Sequence, residues 1–116
     1  MQRRFRLTRS TDFKRVRRFG KSYAHPLVVL ITQAGDHSKV RVGVAAGRTV
    51  GTAVRRNRAK RLMRAAMQRI IPDVAVGCDL LLIARPPLVN ATLEETDTAL
   101  RNLLKRARLL TSPNAL

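Results

Sequence analysis

Asn57, Arg58, Lys60, Arg61, Arg64 and Gln68 recur at spacings of three and four, the interval at which helical side chains share a face. On the same wheel Ala59, Leu62, Met63, Ala66, Met67 and Ile70 gather on the opposite side. One side can seat such a helix on a core while the other presents a row of guanidinium and ammonium groups. A merely solvated helix usually mixes signs to gain i,i+4 pairs, yet from His37 to Pro72 there are ten Lys and Arg and no acid. Like-charged neighbours cost roughly 0.2–0.5 kcal/mol per pair with nothing in the helix to offset it. Arginine also outnumbers lysine, and its planar fork matches phosphate oxygens two at a time. The chemistry expected of this face is phosphate binding.

Composition agrees. The 116 residues carry 24 Lys+Arg against 7 Asp+Glu, a net charge of +17 that repels itself unless a polyanion neutralises it. A second basic block precedes residue 24, with nine Lys and Arg and the single acid Asp12. No apolar stretch approaches the roughly 20 residues of a membrane span, and the first 20 residues lack the apolar core of a signal peptide. One cysteine excludes an internal disulfide and suits the cytoplasm, which is the expected location.

Residues able to cut a phosphodiester unaided are missing. His25 lies beside Pro26 and His37 in a turn; both read as surface loop residues, and neither stands in metal-ligand spacing with Cys78, which reads as a small core residue. Gly47-Arg-Thr-Val-Gly shares only its glycines with a phosphate loop. Glu94, Glu95 and Asp97 are better explained as helix-start acids than as an acid–base pair. No catalytic or metal-binding residue is therefore assigned.

The elements that must position the cationic face can be read in order, as one domain spanning 1–116. Residues 1–9 form a basic arm. Ser10 is the expected N-cap of a helix to about Phe19, with Phe13, Val16 and Phe19 as its apolar stripe and Gly20 as its stop. Pro26 to Thr32 reads as a buried strand, preceded by a weakly signalled strand at Ser22–Ala24. Ala34 to Ser38 reads as a turn, and Val40 to Ala46 as a strand paired antiparallel with the one before it. Gly47–Thr52 is a loop, and the basic helix runs from about Ala53 to Ile71, closed by Pro72 and Gly77. Cys78–Ala84 is a further strand. Thr92 and Glu95 form a capping box that opens a last helix, whose stripe is Leu93, Leu100, Leu103, Leu104 and Ala107. Residues 111–116 read as a loose tail.

The stretch from Val42 to Arg64, centred on Arg56-Asn57-Arg58 and followed by Lys60-Arg61 and Arg64, closely resembles the signature of the bacterial ribonuclease P protein. Arg48 to Gly51, Ala53-Val54, Asp12-Phe13, Ile83-Ala84-Arg85-Pro86 and the last helix extend the likeness to about 100 residues. The resemblance implies an α+β fold, a single-layer four-stranded sheet packed by three helices with a left-handed βαβ crossover, shared with a domain of a small-subunit ribosomal protein. It implies the non-catalytic protein subunit of an endoribonuclease in which a catalytic RNA removes the 5′ leader of precursor tRNA, using Mg²⁺ held through the RNA. No cofactor is bound by the protein alone, and neither a membrane nor a protein partner is implied. By position, Arg55, Arg56, Asn57, Arg58, Lys60, Arg61, Arg64 and Gln68 would face the catalytic RNA. Phe13, Arg17, Arg48 and Thr49 would lie at a cleft for the leader. The family often carries aromatics where this chain has Arg17 and Ile31, which leaves Phe13 either to stack on a base or to pack in the core. The alternatives in other classes are a ribosomal or ribosome-assembly protein, a DNA-binding architectural protein, and an independent nuclease.

Overall fold

The computed structural model describes residues 1–35 and 37–111. Four strands, β1 (Lys21–Ala24), β2 (Val28–Ala34), β3 (Val40–Ala45) and β4 (Cys78–Ala84), form one mixed sheet in the order β1-β2-β4-β3. Three helices accompany it: α1 (Ser10–Phe19), α2 (Ala53–Ile70) and α3 (Leu93–Arg106). The strand expected at Pro26–Thr32 is shifted to Val28–Ala34, and the weakly signalled one before it is present as β1.

The order of the strands corrects one expectation. β2 and β3 do not form an antiparallel hairpin; β4 lies between them, antiparallel to β2 and parallel to β3. All of β4 is buried except the half-buried Ile83, and it is apolar on both faces apart from Asp79, so the centre of the sheet is where it loses most apolar surface to solvent. The connection after β2 straddles the entry to β4. Gly35 N–H donates to Gly77 O at 2.8 Å, and Gly77 N–H donates to Lys39 O at 2.7 Å. Gly77 sits at φ +86°, a conformation that favours glycine, beneath that connection. Asp36, within the expected turn, lies outside the described residues. A parallel β3–β4 pair needs a long crossover, which α2 supplies.

Side chains alternate across β4. Cys78, Leu80, Leu82 and Ala84 join the larger core with Ala59, Met63, Ala66, Met67 and Ile70 of α2 and Leu100, Leu103 and Leu104 of α3. Leu81 faces the other way and packs with Leu7, Val16 and Ile31 under α1. Burial pushes the Cys78 thiol up to about 11, with the charge of Asp79 adding to the effect, as befits a core residue. The apolar face of α2 is as the periodicity predicts, with Leu62 only half-buried.

Local details differ at α1. Arg9, not Ser10, is the N-cap, and it makes no side-chain capping bond; Ser10 is the first helical residue. Of the expected stripe, Val16 is fully buried and Phe13 half-buried, but Phe19 is 66% exposed because the chain leaves the helix there. Gly20 is required at that exit, since a Cβ would stand 2.5 Å from Val16 O and 2.6 Å from Ile31 Cγ2. The N-terminal segment docks on β3, where Leu7 N–H donates to Val42 O at 2.8 Å and the Leu7 side chain is buried. The Thr92–Glu95 capping box of α3 is complete. Asp97, expected to serve the helix start, instead accepts from Arg101 Nε at 2.8 Å. Thr111 is tied to Asp73 O through its N–H and Oγ1, and the rest of the expected loose tail lies outside the described residues.

Candidate nucleic-acid interface

α2 begins where Thr52 Oγ1 accepts from Arg55 N–H at 3.4 Å, and its inward face fixes which residues look out. Arg55, Asn57, Arg58, Arg61 and Gln68 are exposed, while Arg56, Lys60 and Arg64 are half-buried. Asn57, Lys60, Arg61 and Arg64 line a shallow groove of about 430 Å³ with the exposed Val54. Among the described residues, the carboxylates that form ion pairs are Asp12, Asp73, Asp79 and Asp97, and they pair with Arg15, Arg41, Arg101 and His37. None of them reaches a cation of α2. Arg56 Nε is buried without an acceptor among those residues. Arg58 has a structural share as well, its Nε donating to Val89 O at 2.9 Å. Gln68 Oε1 accepts from the N-terminal amine at 3.1 Å.

Arg64 connects this face to a second groove. Together with Arg6, Leu7, Thr8, Phe13, Val42 and others it lines about 250 Å³ over the edge of β3. Burial first, and the like charge of Arg6 second, lower the pKa of Arg64. With Arg6 and Arg64 both lining it, this groove would favour an anion over a cation. Thr8 and Phe13 in turn line a third groove, about 390 Å³, with Ser10, Lys14 and Arg17 along α1. Thus the α2 face and the α1 groove, read separately in the sequence, are joined through Arg64, Arg6 and Phe13. Arg6 and Thr8 are not singled out by sequence reading, because only the docking of the N-terminal segment on β3 brings them in; Lys14 lies on α1 itself, beside Phe13, and carries no distinguishing pattern.

Arg48 and Thr49 line none of these grooves; both are exposed in the 3-10 turn at Arg48–Val50 that precedes α2. Phe13 is half-buried over the sheet, and Gly43 leaves it room. A Cβ at position 43 would stand 2.6 Å from Phe13 Cζ and 3.3 Å from Leu7 Cβ. Gly43→Ala is therefore expected to cost about 1–3 kcal/mol by overpacking. Urea denaturation checks this, and pairing it with Phe13→Leu should recover part of the loss. A Gly43→Ala midpoint equal to wild type would show that the ring is not seated there.

The residue that sequence reading missed altogether is Asp79. Its side chain is fully buried on the α1 side of β4 and accepts from Arg15 Nη2 at 2.6 Å, from Arg41 Nε and Nη2 at 2.9 and 3.1 Å, and from His37 Nε2 at 2.9 Å. Arg15 also donates to Gln33 Oε1. Burial alone would raise the Asp79 pKa, but the hydrogen bonds from Arg41, Arg15 and His37 outweigh it and hold the carboxyl below the usual carboxylate range. His37 is thus no bland loop residue. Its Nδ1 accepts from Lys39 N–H at 3.1 Å, which places the ring proton on Nε2, facing Asp79. His25 Nδ1 accepts from Leu27 N–H at 3.1 Å. The Asp79 cluster fastens α1 to β3 and β4 and so sets where Phe13 and Arg17 stand.

Most of the described carboxylates are engaged by partners within the chain. Asp79 has its acceptor capacity filled by cations, Asp73 and Asp97 share Arg101, and Glu95 serves the α3 cap. Among the described residues no three His, Cys, Asp or Glu converge on a common point.

Comparison with known proteins places this arrangement. The family model for ribonuclease P matches residues 1–108. The ribonuclease P protein component of Herpetosiphon aurantiacus is 38% identical over 109 residues, covering 94% of this chain and 89% of the relative. That of an Exiguobacterium species is 37% identical, covering 94% and 95%. Among solved structures, the RNase P protein of Staphylococcus aureus superposes with a TM-score of 0.81 at 27% identity, over 91% of this chain and 97% of that one. The RNase P protein of Thermotoga maritima superposes with a TM-score of 0.78 at 30% identity, over 87% and 96%. A four-stranded mixed sheet with three helices, matched along nearly its whole length, makes this chain a member of the ribonuclease P protein family.

Proposed function

We propose that the chain binds the catalytic RNA of ribonuclease P through the outer face of α2 and the 5′ leader of precursor tRNA along the α1 groove. In this reading it assists Mg²⁺-dependent removal of the leader in the cytoplasm, and the RNA subunit carries the catalysis. Arg55, Arg56, Asn57, Arg58, Lys60, Arg61, Arg64 and Gln68 form the RNA-subunit face. Phe13, Arg17, Arg48 and Thr49 contact the leader, the last two from the turn that leads into α2.

The observation that carries this reading is the row of α2 cations that no carboxylate among the described residues neutralises. The protein's contribution is electrostatic and positional. Guanidinium groups carried on a packed helix hold phosphates with the backbone already ordered, leaving only side-chain ordering to be lost on binding, and they offset the repulsion between leader and RNA subunit. Mg²⁺, supplied with the RNA, would provide the charge that the hydrolysis itself needs.

Reconstitution tests this. Ribonuclease P RNA and precursor tRNA at limiting Mg²⁺ should be cleaved at the 5′ site faster when the chain is added, by an order of magnitude or more. The advantage should shrink as Mg²⁺ or salt rises. Equal rates with and without the protein would dismiss the reading.

A further inference from the structure

The free edge of the sheet at β1 carries a second cationic surface, away from α2. β1 and β3 are opposite edges, three strand spacings or about 14 Å apart. α2 packs over β3 and β4, and α3 over β1 and β2. His25 N–H donates to Val28 O at 3.0 Å, so in the β1–β2 register the odd-numbered residues of β1 make the hydrogen-bonded pairs. The backbone groups of Ser22 and Ala24 therefore point away from the sheet. Ala24 O accepts from Arg106 Nη1 at 2.6 Å, which brings the end of α3 to this edge.

Two of the chain's four aromatic residues stand here beside cations. Phe19 is 66% exposed, with Arg18 Cζ 5.3 Å from its ring centroid, and Lys21 Nζ lies 5.6 Å from that of Tyr23. Arg18, Lys21 and Arg106 are exposed, and none of them takes part in an ion pair among the described residues. Glu94 and Glu95 lie in the first turn of α3, at the end remote from Arg106.

We infer that this edge takes a single-stranded stretch of RNA, with a base stacked on Phe19 and phosphates held by Arg18, Lys21 and Arg106. Tyr23 is half-buried against the core, but Phe19 offers an exposed aromatic face beside cations, the combination that single strands use whatever their sequence. A second copy of the chain, adding strand to strand, is the occupant that the edge opposes. Lysine on an edge strand blocks such pairing, and two bodies of +17 repel. The inference rests on the chain being an RNA-binding protein but not on the α2 face.

The chain has no tryptophan, so Phe19→Trp installs a single indole at the proposed stacking position. The probe is a fluorescently labelled ten-residue oligouridylate, with its anisotropy reporting complex formation and the indole reporting contact at the edge. The indole should be quenched on binding. Arg18→Ala with Lys21→Ala should weaken the quenching titration about fivefold and reduce the salt slope by about 1.4, near 0.7 for each phosphate no longer neutralised. Lys60→Ala with Arg61→Ala should leave that quenching intact. A silent indole while anisotropy reports a complex would overturn the inference and leave the α2 reading standing. So would quenching that follows the α2 substitutions instead of Arg18 and Lys21, or a spectral shift that grows with protein concentration alone, the mark of self-association. Repeating the titration with ribonuclease P RNA, and with precursor tRNA bearing or lacking its leader, identifies which strand reaches the edge. No quenching by any of these would also count against it.

Discussion

Replacing Asp79 with alanine is expected to destabilise the fold by about 3 kcal/mol, the lower end for removing one partner of a buried ion pair. The carboxylate is fully buried and ties elements from three parts of the chain, Arg15 in α1, Arg41 in β3 and His37 in the turn between strands. Its loss strands two guanidiniums: among the described residues Arg15 keeps only Gln33 and the more distant Asp12, and Arg41 keeps no other side-chain acceptor. The lower figure applies because both arginine side chains are 33% exposed and recover part of their hydration. Urea denaturation at neutral pH measures the loss. The pH dependence has a definite sign. The Asp79 pKa is lower folded than unfolded, so its contribution is fully present above the ordinary carboxylate value near 4 and fades as pH falls through the lower folded value. The gap between wild type and Asp79→Ala should therefore narrow below about pH 4. A gap that stays constant into strong acid would show that packing, not charge, anchors α1.

The second large effect is expected on binding and not on folding. Lys60→Ala, Arg61→Ala and Arg64→Ala together should lower the affinity for ribonuclease P RNA by about two orders of magnitude near 0.1 M salt and reduce the salt slope by about 2–3. The same variant should be as stable as wild type or slightly more so. Alanine is the best helix former, and the substitutions relieve like-charge repulsion such as that of Lys60 with Arg64 and Arg64 with Arg6. This opposition of signs separates the proposal from a structural role. A triple variant that loses stability while keeping its salt slope would remove the RNA-binding role from this face. Arg58 is left out of the combination because its bond to Val89 O would mix the two effects.

What was legible in the sequence was local. The two faces of α2 and the limits of β4 follow from side-chain spacing of three to four, or from an unbroken apolar run, and the structure reproduces both. The Thr92–Glu95 cap is likewise a four-residue pattern that closes on itself. The cationic ridge needed only the absence of acids between His37 and Pro72. The three helices and four strands are each readable from local pattern, but their assembly into one four-stranded sheet came from the family resemblance, since periodicity alone suggested a hairpin of β2 with β3.

The tertiary structure decided which distant segments meet. β4 enters between β2 and β3 because it is the strand apolar on both faces, a ranking of burial across the whole sheet that no short window contains. Asp79 looked like one polar residue in an apolar run until Arg15, 64 positions away, and Arg41 converged on it. Phe19 fits the spacing of a stripe but falls where the helix ends, so it faces solvent. Docking of the N-terminal segment on β3 set Arg6 against Arg64 and joined two grooves into one path. Short-range periodicity is written into neighbouring residues. The pairing of charges and strand edges is settled only when competing partners are buried together.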